Sequence, residues 1–223
     1  MQQRPYSAYN PFFLVPYMLW ILLGGILFLA YDKQTLFAAV NTHYSDIGNV
    51  IMYYATWIGE GTVITIVLFL LLLIVPAFRN WWFFVTALLC ASLPALVSQW
   101  VKHLHNLPRP LNYFNKAAWI HISPDWPVLM KNSFPSGHTT GAFSLMCFLS
   151  MMLPSRYRAW GIVFFFIALL VAYSRLYLAA HFFEDVYVGS IIGGSVTLVI
   201  YAIMKNYQHY FFKNKIADNK AIL

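Results

Sequence analysis

Six apolar stretches, separated by polar or basic connections, constrain this chain more than any other feature. They run Phe12–Tyr31, Gly61–Phe78, Trp81–Val101, Thr139–Leu153, Trp160–Ala180 and Val186–Met204. A helix that crosses a bilayer needs about 20 mainly apolar residues. Inside lipid the backbone can satisfy its own polar groups only as a helix or a closed barrel. The pattern therefore predicts an all-α fold, a polytopic membrane helical bundle with six transmembrane helices. The fourth stretch is the shortest, and the fifth is expected to stop near Ser174. Composition argues against a soluble domain. The chain is 61% hydrophobic and 9% charged, where soluble domains carry about a quarter charged residues.

At 223 residues a single integral membrane domain spanning 1–223 is expected, with its core over 61–204. The mixed segment 32–60 reads as a possible amphipathic helix on the membrane surface, and 205–223 as a basic cytoplasmic tail. The longest polar connection, Lys102–Phe134, is too irregular to lie in lipid. Cys90 and Cys147 fall inside apolar stretches, which argues against a structural disulfide. Only Arg4 precedes the first stretch and no small-x-small site follows it, so a cleavable signal is not expected. Trp81, Trp82, Trp119, Trp126 and Trp160 read as interfacial belts. Gly24-Gly25 and Gly193-Gly194 allow close helix contact within one chain or between chains, which leaves the oligomeric state open. The formal charge of +7 does not imply nucleic acid, because the basic residues lie between apolar runs rather than in one stripe.

Lys and Arg placement sets orientation. With the N-terminus inside, the inner face receives Arg4, Arg79, Arg156, Arg158, Lys205, Lys213, Lys215 and Lys220. The outer face receives Lys33, Lys102, Arg109, Lys116, Lys131 and Arg175. Lys102, Arg109 and Arg175 have another reason to be where they are, and without them the bias puts both termini in the cytoplasm. Odd-numbered spans then end, and even-numbered spans begin, on the outer face. Three polar clusters meet there: Lys102 with Arg109-Pro110, then Pro135-Ser136-Gly137-His138, then Ser174-Arg175 with His181 and Asp185.

These residue types suit a phosphate. Phosphoryl transfer is mostly positioning and charge neutralisation. Arg109 and Arg175 offer forked donors, and Lys102 a point charge. Any one of them alone reads first as a cation snorkelling to headgroups from a helix end. Ser136 can cap a helix, and Gly137 lets the backbone approach an oxygen, so Pro135-Ser136-Gly137-His138 opens an anion site or an ordinary capped helix. On a helix, His181 and Asp185 would share one face. The carboxylate would then fix the imidazole tautomer and leave a neutral nucleophile, or the pair would merely staple a turn. His138 is free to be the general acid. A metal site drawn from His103, His105, His121, His138 and His181 lacks zincin-like context and sits among cations.

These spacings resemble the three-part signature of the type 2 phosphatidic acid phosphatase superfamily, whose site is shared with vanadium haloperoxidases and glucose-6-phosphatase. The resemblance covers roughly Gly61 to Met204, departs from the pattern at no motif position, and fits the membrane-bound lipid phosphatase branch. It implies that Lys102, Arg109 and Arg175 bind phosphate oxygens, helped by Ser136 and the Gly137 backbone. It implies a phosphohistidine at His181 oriented by Asp185, with His138 protonating the leaving group and then activating water. Ser174 and Pro135 would support the site, and neither a metal nor another cofactor would be needed. The expected partners are a membrane lipid substrate and the bilayer, not nucleic acid.

The expected activity is hydrolysis of a lipid phosphate or diphosphate at the periplasmic face of a bacterial inner membrane. Undecaprenyl diphosphate is favoured because an outward site suits recycling of that carrier. Phosphatidylglycerol phosphate, phosphatidate and lipid A 1-phosphate are alternatives. The alternative is a phosphotransferase with a hydroxyl acceptor; six spans argue against a vanadate-dependent haloperoxidase, and the intact motif argues against a non-catalytic protein on the same fold. The segment Tyr113–Lys131 reads as a lid or a plain loop.

Overall fold

A computed structural model describes residues 9–211. Arg4, Lys213, Lys215, Lys220 and the end of the basic tail lie outside them. Among the described residues the secondary structure is helical: α1 (Pro11–Ala30), α2 (Lys33–Asn41), α3 (Asp46–Trp57), α4 (Gly61–Ile74), α5 (Trp81–His105), α6 (Pro110–Tyr113), α7 (Gly137–Met152), α8 (Trp160–Tyr177) and α9 (Phe183–Asn206).

Local chemistry sets the ends. Asn10, Asp32, Ser45, Asn80 and Ser136 each accept a backbone N–H of the helix they open, satisfying a donor that the first turn leaves free. Pro76 stops α4. Asn106, at φ 41°, ends α5 in the left-handed region and returns its N–H to the Lys102 carbonyl.

Among the described residues four helices are long and apolar enough to cross a membrane, five if the α3–α4 pair, bent by 60°, counts as one span. That falls short of the expected six. The shortfall lies in α4 and α7, with 14 and 16 residues, or about 21 and 24 Å at 1.5 Å per residue. Other boundaries also differ from the apolar runs. Helix α5 carries on past Val101 to His105, which puts Lys102 on its last turn. Helix α8 does not stop near Ser174 but reaches Tyr177. Segment 32–60 is two helices rather than one, and α3 packs against α8.

Helix α7 is the centre of the bundle, packed against α4, α5, α8 and α9 and buried along most of its length. Its approach to α9 is close because Gly193 is a glycine: a Cβ there would lie 2.3 Å from the Thr140 carbonyl oxygen. Polar pairs supply further adhesion where lipid cannot. Pro94 has no N–H for the Cys90 carbonyl, and the Ser144 hydroxyl of α7 bonds that carbonyl. Ser144 also lies 2.8 Å from Thr197 Oγ1 of α9. The glycine pairs act within the chain, Gly24 and Gly25 against Tyr187 and Gly194 against Tyr17. Cys90 and Cys147 are free and buried.

The tryptophans divide. Trp81 and Trp160 are exposed, as an interfacial belt requires. Trp82 is fully buried and donates to the Met204 carbonyl at 2.7 Å. A second, smaller core of Phe37, Leu111, Ile120, Ala179 and Phe182 closes the opposite end. It holds the 106–134 connection down onto the ends of α8 and α9.

Candidate active site

At that closed end lies a cavity of about 690 Å³, lined in part by Lys102, Arg109, Gly137, His138, Arg175 and His181. All three polar clusters contribute to it. The N-terminal turns of α7 and α9 are tied together, since the Ser136 N–H donates to the Asp185 carbonyl at 2.9 Å.

Each cation is held differently. Arg109 is pinned by carbonyls: Nε donates to Lys131 at 2.7 Å, Nη2 to Asn132 at 3.3 Å and Nη1 to Ala180 at 2.9 Å. These bonds fix the guanidinium plane without neutralising its charge. Arg175 is 1% exposed. Its Nη1 donates to Thr56 Oγ1 of α3, its guanidinium carbon lies 4.7 Å from the Trp126 ring centroid, and its buried Nε has no partner among the described residues. Lys102 makes no ion pair among the described residues. Unneutralised cations around one cavity favour an anion.

His181 lies between α8 and α9, not on a helix, so the expected shared helical face does not exist. The pairing with Asp185 arises another way. Asp185 is the third residue of α9 and its Oδ2 reaches back to accept the Phe182 N–H at 2.9 Å, as capping carboxylates do. The same oxygen stands 3.3 Å from His181 Nδ1. On the other side of the ring, Nε2 lies 3.3 Å from Arg109 Nη1. Arginine can only donate, so Nε2 accepts and the ring proton sits on Nδ1, facing Asp185. Burial and the charges of Arg109, Arg175 and Lys102 hold His181 well below its ordinary value of 6.5, and its free state is a neutral imidazole with an unprotonated Nε2.

Ser136 opens α7. Its Oγ accepts the Thr139 N–H at 3.4 Å and its carbonyl accepts the Thr140 N–H at 3.0 Å. The N–H groups of Gly137 and His138 are left to the cavity, where a helix N-terminus favours negative charge. A Cβ on Gly137 would meet nothing within 4 Å. His138 Nε2 lies 3.5 Å from Glu60 Oε2.

The expected supporters differ from their expected parts. Ser174 is buried, and its hydroxyl donates to the Val171 carbonyl of its own helix at 2.7 Å. Pro135 follows Phe134 through a cis peptide and leads into the cap. His121 is turned away, stacked on Tyr44 with its Nε2 2.7 Å from Asn49 Oδ1. Among the described residues, no three His, Cys, Asp or Glu side chains gather as a metal site.

Four residues were not anticipated from the sequence: Ser133, whose hydroxyl donates to Asp185 Oδ2, together with Thr56, Glu60 and Trp126. Trp126 is no belt residue, since it lies against Arg175 and His138. Ser133 sits beside the second cluster and was open to suspicion as a short polar residue there. The other three lie in segments with no motif and come into range only through the tertiary fold.

A sequence profile of the PAP2 superfamily matches residues 81–209, from the start of α5 past the end of α9. The chain belongs to the PAP2 superfamily. The match begins at Trp81, so α4 lies outside it, although the sequence resemblance was expected to start at Gly61. A lipid A 4'-phosphatase of Porphyromonas gingivalis is 36% identical over 73 residues, which span 33% of this PAP2 chain and 30% of that protein. The crystal structure of Aquifex aeolicus LpxE superposes with a TM-score of 0.63 at 26% identity, covering 75% of this chain and 93% of that one. A transmembrane PAP2 type phosphatidylglycerolphosphate phosphatase from Bacillus subtilis has a TM-score of 0.61 at 22% identity, covering 89% and 98%. That last likeness speaks to the fold alone.

Proposed function

We propose that this PAP2 protein is an integral membrane lipid phosphatase acting through a phosphohistidine at His181. The observation that carries the reading is the two-sided shape of the 690 Å³ cavity. One end holds Lys102, Arg109 and Arg175, and the wall between α4 and α5 is lined by Ile64, Leu88, Ala91 and Ala95. Such a space suits a ligand with an anionic head and an apolar tail.

In the first step Nε2 of His181 attacks phosphorus, opposite the leaving oxygen. Its Nδ1–H stays on Asp185, which stabilises the positive ring as the N–P bond forms. Lys102, Arg109, Arg175 and the α7 N–H groups take up the equatorial oxygens. His138 gives a proton to the departing oxygen. In the second step water attacks phosphorus, His138 takes its proton, and the electron pair of the N–P bond returns to Nε2. The chain's own cations supply the charge neutralisation, so the reaction proceeds without a metal and EDTA leaves the rate unchanged.

The six-crossing topology also belongs to this reading, as α1, α4, α5, α7, α8 and α9. A central helix buried by its neighbours need not present a full lipid-facing length, which suits the short α7. Charge placement then puts both termini in the cytoplasm and the site on the outer face of a bacterial inner membrane. Candidate substrates are undecaprenyl diphosphate, phosphatidylglycerol phosphate, phosphatidate and phosphorylated lipid A. The name of the Porphyromonas gingivalis relative favours the last of these, and the outward site favours the first. Phosphate release from a panel of these pure lipids in detergent tests the reading. Turnover of at least one supports it, and turnover of none contradicts it.

A further inference from the structure

Glu60 is the only carboxylate among the described residues that line the cavity. In a space that binds phosphate, such a group repels the ligand, so its position calls for another explanation. The chain holds it there firmly. Glu60 stands at the elbow between α3 and α4, and the neighbouring Gly59 packs directly on the first turn of α7. A Cβ on Gly59 would lie 2.3 Å from the His138 carbonyl oxygen. A Cβ on Gly141, one turn along α7, would lie 2.9 Å from the Gly59 carbonyl oxygen. This backbone-on-backbone approach brings Glu60 Oε2 to 3.5 Å from His138 Nε2. Thr62 Oγ1 holds the other oxygen at 3.4 Å. The Glu60 side chain is 37% exposed, so it keeps contact with solvent.

The other charged or titratable groups in the cavity are Lys102 from α5, Arg109, Arg175 from α8 and His181. The three cations surround His138 with positive charge. A bound phosphate dianion offsets them only in part, yet a general acid must carry its proton when the leaving oxygen departs.

We propose that Glu60 is a positioning residue for His138: its carboxylate holds the imidazolium through Nε2–H and leaves the second ring N–H to the leaving oxygen. As the O–P bond breaks and the N–P bond forms at His181, that second proton passes to the leaving oxygen. His138 becomes neutral while Nε2–H stays on Glu60. In the second step the vacated nitrogen takes a proton from the attacking water, and the starting state returns. The inference rests on the phosphatase reading above and adds to it a device for poor leaving groups. Lipid alkoxides need a proton, whereas nitrophenolate does not.

The test compares wild type with Glu60→Gln and Glu60→Asp, full length in detergent, on a phosphatidate and on p-nitrophenyl phosphate. Glu60→Gln should lower kcat on phosphatidate by roughly tenfold or more, a share of what general acid catalysis supplies, and on p-nitrophenyl phosphate by less than about threefold. Glu60→Asp should restore part of the loss. A neutral partner releases the His138 proton earlier, so the alkaline limb of the phosphatidate pH profile should move to lower pH in Glu60→Gln. Equal losses on the two esters, or an unmoved alkaline limb, would overturn the inference. Activity on p-nitrophenyl phosphate also reports that the variant is folded. Where phosphatidate is not turned over, the lipid of the panel above that wild type hydrolyses takes its place, and if wild type hydrolysed none of them the phosphatase reading itself would fail.

Discussion

Arg109 Nη1 stands 3.3 Å from His181 Nε2, on the side of the ring away from Asp185. In the proposed mechanism one guanidinium therefore borders both the phosphate and the nitrogen that attacks it. With Arg109 donating, Nε2 carries a lone pair. Arg109→Lys keeps the charge and loses the fork. On this account kcat/KM falls by about 10²-fold or more, the scale of losing one preorganised donor. Steady-state kinetics on a pure lipid phosphate, with size-exclusion behaviour as the folding check, measures it.

Asp185 Oδ2 accepts three donors, from Ser133 Oγ, the Phe182 N–H and His181 Nδ1. Removing the Ser133 hydroxyl deprives a buried carboxylate of one of them. Ser133→Ala should cost about 1.5–3 kcal/mol of stability, as hydrogen bonds to charged groups do, and should lower kcat more than it raises KM. Thermal unfolding in detergent and kinetics together check this. An unchanged melting temperature would mean that the hydroxyl does no structural work.

The depressed value of His181 has a sign that can be tested. Its folded form binds a proton only well below 6.5, whereas the unfolded histidine binds one near 6.5. As pH falls below about 6.5 the unfolded state therefore takes up the extra proton, and stability falls with it. His181→Gln removes that contribution. Its stability should decline less than wild type between pH 6.5 and pH 5, read as the difference in melting temperature at the two pH values.

Gly137 borders the cavity, and a Cβ there meets no protein atom within 4 Å. Gly137→Ala should therefore fold normally but intrude on the phosphate. Vanadate, which mimics the five-coordinate state, should inhibit this variant about tenfold more weakly or worse, a loss of about 1.4 kcal/mol of binding. Equal inhibition of both proteins would place the anion elsewhere.

Much of this site was legible because its residues lie at the ends of apolar runs, where hydropathy and spacing both report. Lys102, Arg109, Ser136, His138, Arg175, His181 and Asp185 come together in the fold. What was hidden depended on three-dimensional packing. The contact of His181 with Asp185 follows from a capping carboxylate rather than from helical spacing. Thr56 and Glu60 reach the site through the α3–α4 elbow, whose apolar character blurs into the neighbouring runs. The span count is legible only in part: Pro76 cuts α4 short of its apolar run, and α7, enclosed by its neighbours, is shorter than a lone crossing helix. Trp82 and Trp126 look like belt residues by type and are structural by position, since only the fold shows which side of a helix or loop faces inward.

The central claim is that His181 takes the phosphoryl group. The most direct measurement is rapid quenching of the enzyme with a lipid phosphate carrying labelled phosphorus, followed by peptide mapping. The account predicts an acid-labile, base-stable label on the peptide containing His181, absent in His181→Ala. Label on another residue, or full turnover by His181→Ala, would contradict it.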